Sequence, residues 1–437
     1  MRVQLQALGC RLNEAELEGW ARQFQQRGFR IAADGETADV VVVNTCAVTQ
    51  EATRKSRKLL RRTQRTNPKA KLVVSGCFAS LEADALAQEQ GIDLLVSNQD
   101  KDRLVEIAAQ ELDLGAMPIT AIEPDTNPLF ARGRQRAFVK IQDGCRYRCT
   151  FCIVTLARGE ERSRPVREIV NDVNRLATEG VREVILTGVH LGGYGSDTGS
   201  GLLDLLRTVL ADTDMPRVRM GSLEPWDLPD GLWGLFENPR LLPHLHLPLQ
   251  SGSDSVLRRM ARRCRTSEFA HLAAEARQQV PSFNLTTDII VGFPGESETE
   301  WKETRSFVEA VGFGHLHIFS YSPRLGTKAA TLPGQIPNDI KKTRSRQMHA
   351  LGLRMKQETL ARFVGRRLPV LVEGRYGGTA DGDWFGYAPN YLPVRLRFDG
   401  SKKLVNRIIE VTLEDLHEDG ESLLGRPDTI EGVVSNQ

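Results

Sequence analysis

The sequence predicts an α/β protein of three modules: a doubly wound parallel α/β domain, a larger parallel (β/α)6 sheet curved into a partial barrel, and a small antiparallel β-barrel. Three observations predict this. At about 150 residues per domain, a chain of 437 residues has room for three. From the start to about residue 363, apolar runs alternate with stretches of helical spacing, the pattern of a parallel sheet beneath helices. Beyond 366, short strands are separated by glycine and aspartate turns, as in a small barrel.

In residues 1–112 the strand candidates are Val3–Leu8, Val40–Asn44, Leu72–Ser75 and Ile92–Val96. Between and after them lie helical patterns at 12–28, 49–66, 80–90 and 100–111. The unbroken run Val40-Val41-Val42-Val43 suits a strand covered on both faces. Residues 113–136 carry Pro118, Pro124 and Pro128 without periodicity and read as a linker. From 137 to 363, six strands are expected at 137–142, 183–188, 217–222, 244–249, 284–291 and 315–321, each followed by a helical pattern. A charged helix from about 338 to 363 closes this part. In 364–437, Leu368–Val372, Tyr391–Phe398 and Leu404–Leu413 read as barrel strands, and the tail after 417 as loosely ordered.

A chain that is 40% hydrophobic and 26% charged is an ordinary folded protein, which excludes disorder and fibre. The net charge of +2 identifies no partner, so only local clusters of charge are informative. No apolar run approaches the ~18 residues of a membrane span, and Met1–Gln6 lacks the apolar stretch of a signal peptide. A cytoplasmic protein is expected. Its seven cysteines cannot all pair, and reduced thiols in groups point to metal or chemistry.

Six of them form two sets. Cys145, Cys149 and Cys152 lie within eight residues after the first barrel strand, on a loop at the face where barrel chemistry occurs. Three thiolates can hold three corners of an iron–sulfur cube and leave one iron open; the alternative, zinc, ordinarily takes four protein ligands. Cys10, Cys46 and Cys77 follow the first, second and third strand candidates of the N-terminal domain. Ligands bind outside the carboxyl ends of open α/β sheets, so these three should converge; the alternative is three ordinary buried thiols. Cys264, alone in Arg262-Arg263-Cys264-Arg265, reads as structural.

Charge is uneven along the chain. Residues 54–71 carry nine Lys and Arg and no acid. Arg54, Lys58, Arg61, Arg62 and Arg65 recur at helical spacing on one face, a stripe suited to a phosphate backbone. Arg258, Arg259, Arg262, Arg263 and Arg265 form a second basic group. Tyr387 and Tyr391 are candidates for stacking on bases. His244 and His246 share one side of a strand and read as core.

With these residues on the page, the chain resembles a known family. Gly144–Cys152, with its CxxxCxxC spacing, looks like the radical S-adenosylmethionine superfamily. Leu8-Gly9-Cys10-Arg11-Leu12-Asn13, Val43-Asn44-Thr45-Cys46 and Ser75-Gly76-Cys77 look like the N-terminal domain of its methylthiotransferases. Arg158–Pro165, Leu247–Ser253 and Thr287–Glu296 resemble that family's barrel, and Gly386–Val394 the small RNA-binding (TRAM-like) barrel that ends its members.

The resemblance implies two [4Fe-4S] clusters. The one on Cys145, Cys149 and Cys152 would bind S-adenosylmethionine and cleave it to a 5′-deoxyadenosyl radical. The one on Cys10, Cys46 and Cys77 would hold the sulfur to be transferred. It also implies that Thr187, Gly188, His190, Glu224, Gln250, Ser251 and Gly292, at the ends of barrel strands, line the S-adenosylmethionine pocket. Arg11-Leu12-Asn13 and His190-Leu191-Gly192 are closest to the group acting on N6-threonylcarbamoyladenosine at tRNA position 37. Methylthiotransferases of N6-isopentenyladenosine or of a ribosomal-protein aspartate are the alternatives within the family. The implied partners are tRNA and an electron donor such as flavodoxin or ferredoxin, with the sulfur donor left open. In another class, a non-catalytic RNA-binding protein would hold zinc without sulfide. A dinucleotide oxidoreductase resting on Gly192-Gly193-Tyr194-Gly195 lacks the required glycine spacing.

Overall fold

The computed structural model describes residues 1–33, 35–89, 91–115, 134–378, 383–397 and 404–428. Most of the expected linker, the turn at Asp381-Gly382, Phe398, and Lys402 and Lys403 lie outside these residues. Two compact units are formed, one of residues 1–165, 186–201 and 322–332, the other of 166–185, 202–321 and 333–437.

The first unit contains a five-stranded parallel sheet in the order β2-β1-β3-β4-β5. Its strands are β1 (Arg2–Ala7), β2 (Arg30–Ile31), β3 (Val40–Thr45), β4 (Lys71–Gly76) and β5 (Leu94–Leu95). Strand β3 is buried throughout, as its unbroken valines require. Val40 and Val42 pack with Trp20 and Phe24 on one side, while Val41 and Val43 pack with Leu60 and Phe78 on the other. The helices are α1 (Arg11–Gln26), α2 (Gln50–Thr66), α3 (Cys77–Leu81), α4 (Ala83–Ala87) and α5 (Leu104–Glu111). Thr49 caps α2 by accepting from the Ala52 amide at 3.0 Å. The two-residue β2 between the first two expected strands is the one addition; it is too short to leave a periodic signal. The unit continues through β6 (Arg136–Lys140), β7 (Gln142–Asp143), α6 (Val154–Arg158) and β8 (Arg162–Ser163).

The second unit carries α7 (Val166–Thr178), β9 (Glu183–Thr187, whose last two residues belong to the first unit), α8 (Leu202–Asp212), β10 (Arg217–Met220) and β11 (His244–His246). Next come α9 (Asp254–Arg259), α10 (Thr266–Gln279), β12 (Asn284–Val291), α11 (Glu298–Val311), β13 (His315–Ser320) and α12 (Asn338–Ala361). Strands β11, β12 and β13 pair in parallel. The amphipathic α7 buries Ile169, Val173 and Leu176, one apolar stripe of a helix. Helix α11 starts in a capping box between Ser297 and Glu300.

The Glu300 carboxylate also accepts from Arg259 at 2.8 and 2.9 Å, and Arg259 above all holds its pKa at about 2. A depressed carboxylate contributes stability that is full above its unfolded pKa and lost as pH falls toward the folded one. Wild-type Tm should therefore decline between about pH 4.5 and pH 2, and Glu300→Gln should make that acid limb shallower in scans against pH.

Strands β14 (Arg367–Arg375), β15 (Trp384–Tyr387), β16 (Pro393–Leu396), β17 (Ile408–Leu416) and β18 (Leu423–Pro427) close a barrel in the order β14-β15-β16-β18-β17. Two expectations are corrected here. The β16–β18 pairing is parallel, in an otherwise antiparallel barrel. The segment after 417 supplies β18, because Leu423 and Leu424 bury against the core and Asp419 accepts from the Glu421 and Ser422 amides to close the turn. At Gly386 a Cβ would sit 2.1 Å from the Leu371 carbonyl oxygen, so only glycine lets β14 and β15 approach there.

Candidate functional site

Cys10 caps the start of α1, Cys46 follows β3, and Cys77 opens α3 directly after β4. Strands β1, β3 and β4 are adjacent, and chain order reverses between β1 and β3, where open sheets place their ligands. Two glycines shape this edge. At Gly9 (φ +124°) a Cβ would meet the Cys46 Cβ at 2.7 Å and its Sγ at 2.9 Å; at Gly76 (φ +99°) it would meet the Thr45 carbonyl oxygen at 2.3 Å. The three sulfurs lie close enough to influence one another. Burial, reinforced by the Cys77 and Cys10 sulfurs, pushes the Cys46 thiol up to about 11. A bare thiolate would be costly there, whereas bound metal keeps the sulfur deprotonated.

Beneath the trio lies a buried polar network. Arg158, 2% exposed, donates to Cys77 Sγ at 3.3 Å, Asn13 Oδ1 at 2.7 Å, Glu16 Oε1 at 2.8 Å and Asp143 Oδ1 at 3.0 Å. Lys101 pairs with the same two carboxylates, at 2.8 Å from Asp143. Burial works against the Glu16 carboxylate, but Arg158 and then Lys101 outweigh it and hold it well below the usual carboxylate range. Sequence reasoning missed this network. Its members stand up to 145 positions apart, and only the place of Asp143, two residues before Cys145, hinted at it.

The loop with Cys145, Cys149 and Cys152 runs between β7 and α6. Gly144 (φ +74°) lets it pass the β8 side, since a Cβ there would sit 1.8 Å from the Glu160 carbonyl oxygen. The Cys145 amide donates to the Gly159 carbonyl at 3.1 Å and the Cys152 amide to that of Cys149 at 3.0 Å. The Tyr147 amide points at Cys145 Sγ, 3.4 Å away. All three thiols are half-buried.

Three of the expected pocket residues belong to the same unit. Thr187 is buried, and its carbonyl accepts from the Ile141 amide at 2.9 Å. Gly188 passes Gln142 so tightly that a Cβ would lie 2.9 Å from its Oε1; that oxygen accepts from the His190 amide at 2.8 Å. His190 Nδ1 pairs with Glu161 Oε1. One ligand atom each of Cys145, Glu161 and His190 lies within 4.8 Å of the others, so His190 stands beside a cluster cysteine. Glu161 was not singled out from sequence.

The remaining pocket candidates lie in the second unit. Glu224 is bound by Arg262 at 2.6 and 3.1 Å, and Arg262 lies over the Trp226 ring. Gln250 adopts φ +77° and bridges to β12 by its amide on the Asp288 carbonyl at 2.8 Å. Ser251 is fully buried against the Thr304 hydroxyl at 3.0 Å. Gly292 (φ +73°) leaves its space to Lys341, whose Cγ would lie 2.2 Å from a Cβ. Arg259 and Arg262 of the second basic group are thus engaged by Glu300 and Glu224. His244 and His246 both meet Thr286 Oγ1, at 3.1 and 3.0 Å. Cys264 is buried.

Of the nucleic-acid candidates, Arg54, Lys58, Arg61, Arg62 and Arg65 are all exposed on α2. Four of them, all but Arg62, line an open groove of about 960 Å³ together with Arg57, Gln64 and Arg324. Tyr387 and Tyr391 stack on each other, ring centroids 4.7 Å apart at 12°, with Arg219 over Tyr391 at 4.6 Å. They sit at the amino ends of β10–β12: Arg217 donates to the Tyr387 carbonyl at 3.1 Å, Arg219 to that of Pro389 at 3.0 Å and Asn284 to that of Asn390 at 2.8 Å.

The family described as uncharacterized protein family UPF0004 matches residues 2–97, and the radical SAM superfamily matches residues 139–308. The chain is 34% identical over 440 residues to the threonylcarbamoyladenosine tRNA methylthiotransferase MtaB of Thermotoga maritima, covering 99% of this chain and 98% of that one. It is 34% identical to the protein of the same name in Bacillus subtilis over 94% of this chain and 93% of that one. It is 35% identical to the tRNA-2-methylthio-N(6)-dimethylallyladenosine synthase of Thermobifida fusca, over 85% and 78% of the two chains. Among solved structures, the radical S-adenosylmethionine methyltransferase TsrM of Kitasatospora setae shares the fold, with TM-score 0.57 and 14% identity over 75% of this chain and 77% of that one. Full-length identity to these enzymes, with both cysteine trios at strand ends, shows that the chain is a transferase of the radical S-adenosylmethionine methylthiotransferase family.

Proposed function

We propose that this enzyme adds a methylthio group to C2 of N6-threonylcarbamoyladenosine at position 37 of tRNA, in the cytoplasm, using two [4Fe-4S] clusters and S-adenosylmethionine. The carrying observation is the gathering of Cys10, Cys46 and Cys77 at the switch point of the N-terminal sheet, beside a buried cationic donor. All-sulfur ligation next to Arg158 suits an anionic iron–sulfur group. The relatives named for threonylcarbamoyladenosine, aligned over nearly the whole chain, support this base over the dimethylallyl one.

When bound, the clusters and S-adenosylmethionine supply radical formation and the sulfur to be inserted. The chain's part is to hold them. Cys145, Cys149 and Cys152 would hold one cluster, and Cys10, Cys46 and Cys77 would hold the other. The Tyr147 amide, aimed at Cys145 Sγ, and the His190–Glu161 pair fix the first loop. Thr187, Gly188 and His190 of the first unit are assigned to S-adenosylmethionine binding, and so, each within the second unit, are Glu224, Gln250, Ser251 and Gly292. Electrons come from a flavodoxin or ferredoxin.

The experiment is nucleoside mass spectrometry of tRNA from cells lacking the protein: the methylthio form of threonylcarbamoyladenosine should vanish and the unmodified form accumulate. Loss of the isopentenyl product instead would assign the other substrate. For the basic stripe on α2, Arg61→Ala with Arg62→Ala should weaken tRNA binding and flatten the slope of log K against log salt by about 1.5–2, about one phosphate contact per residue. An unmoved slope in filter-binding titrations would leave α2 a solvated face.

A further inference from the structure

Arg158 was read only as part of a motif, and holding a cluster requires nothing of it. Its geometry nevertheless connects the two cysteine sets of the first unit. Its Nε–H points at Cys77 Sγ, 3.3 Å away. Its Nη2 holds Asn13 Oδ1 at 2.7 Å. Asn13 in turn accepts from the Cys10 thiol at 3.6 Å and donates to the Leu8 and Thr45 carbonyls at 2.8 and 3.2 Å, the residues leading into Cys10 and Cys46. Its Nη1 reaches Asp143 Oδ1 at 3.0 Å, and the same oxygen accepts from the Gly144 amide at 2.8 Å, immediately before Cys145.

Charge explains why arginine is needed. Arg158 and Lys101 are balanced by Glu16 and Asp143, all four buried. The carboxylates occupy Nη1, which leaves Nε–H for sulfur. A lysine ammonium could meet both carboxylates but lacks the planar fork that reaches sulfur, amide and carboxylates together. A charge-assisted hydrogen bond to a ligating sulfur favours the more negative, reduced state and so raises the potential of the group it holds.

We propose that Arg158 is a positioning residue for the cluster on Cys10, Cys46 and Cys77: it raises that cluster's reduction potential through Cys77 and, through Asn13 and Asp143, holds the trio in register with the Cys145 loop. The inference rests on the two-cluster reading above.

Arg158→Ala would remove one of the two buried cations that face Glu16 and Asp143 and risks unfolding, so the test is Arg158→Lys in the full-length reconstituted protein. Iron and acid-labile sulfide are counted first, then both clusters are titrated by electron paramagnetic resonance. Cys46→Ala, which keeps only the Cys145 cluster, assigns the signals. The expected result is that the signal missing in Cys46→Ala shifts to lower potential in Arg158→Lys, while the other stays within error and S-adenosylmethionine cleavage persists. Selective loss of that second cluster would also support the assignment. Two clusters with unmoved potentials, equal shifts in both, or loss of both would overturn it and leave the two-cluster reading intact where two are counted in wild type. Wild-type protein with a single cluster would overturn that reading and this inference together.

Discussion

Cys46→Ala should cut bound iron from about eight to about four atoms per chain, keep reductive cleavage of S-adenosylmethionine, and reduce methylthio product to background. The separation is expected because the two thiol sets hang on different elements. Cys46 follows β3 of the N-terminal sheet, while Cys145, Cys149 and Cys152 occupy the loop between β7 and α6. Removing one thiol from the first set does not disturb the Gly144 turn or the Cys152–Cys149 hydrogen bond that shape the second. The converse variant, Cys149→Ala, should abolish cleavage. Anaerobic assays of 5′-deoxyadenosine and of modified nucleoside, run in parallel on the same samples, read both quantities. Cleavage lost together with product in Cys46→Ala would mean that the sets do not divide the work.

The largest effect on stability is expected from Lys101→Met. The ammonium is 1% exposed and bridges Glu16 and Asp143, with Asn98 Oδ1 as a third acceptor at 3.3 Å. Its backbone carbonyl also accepts from Trp20 Nε1 at 2.8 Å, which fixes the residue against the N-terminal core. Without the ammonium, the two buried carboxylates keep Arg158 as their one buried cation, with Lys140 at 3.7 Å and Arg162 at 3.9 Å from Asp143. Breaking a buried pair by removing one partner costs about 3–5 kcal/mol, a Tm fall on the order of 10 °C for a unit of this size. Calorimetry of the metal-free protein measures this without interference from clusters. A fall of under about 1 kcal/mol, the scale of an exposed pair, would show that solvent reaches the network.

The parts of this architecture legible in the sequence were those with local signals. Four consecutive valines announced β3 because both faces of that strand are covered. The stations of Cys10, Cys46 and Cys77 could be read because each follows a strand whose run is apolar. What escaped had no local signal. Strand β2 is two residues long. Strand β18 was hidden because Leu423 and Leu424 are a single apolar step in a polar tail. The Arg158 network joins Cys77 to residues 13, 16, 101, 143 and 158, and each of those five alone looks like an ordinary surface polar group. The stacking of Tyr387 on Tyr391 arises in the local turn between β15 and β16, where the Tyr391 amide donates to the Ala388 carbonyl at 3.0 Å.

Where that tyrosine pair sits has a consequence for the choice of RNA. It lies against the amino ends of β10–β12, whereas Gln250 and Gly292 come after the carboxyl ends of β11 and β12. An eight-residue strand is about 26 Å long. A single nucleic acid touching both ends would have to reach across that length. Strand length thus sets a lower bound on the size of an RNA that could engage both.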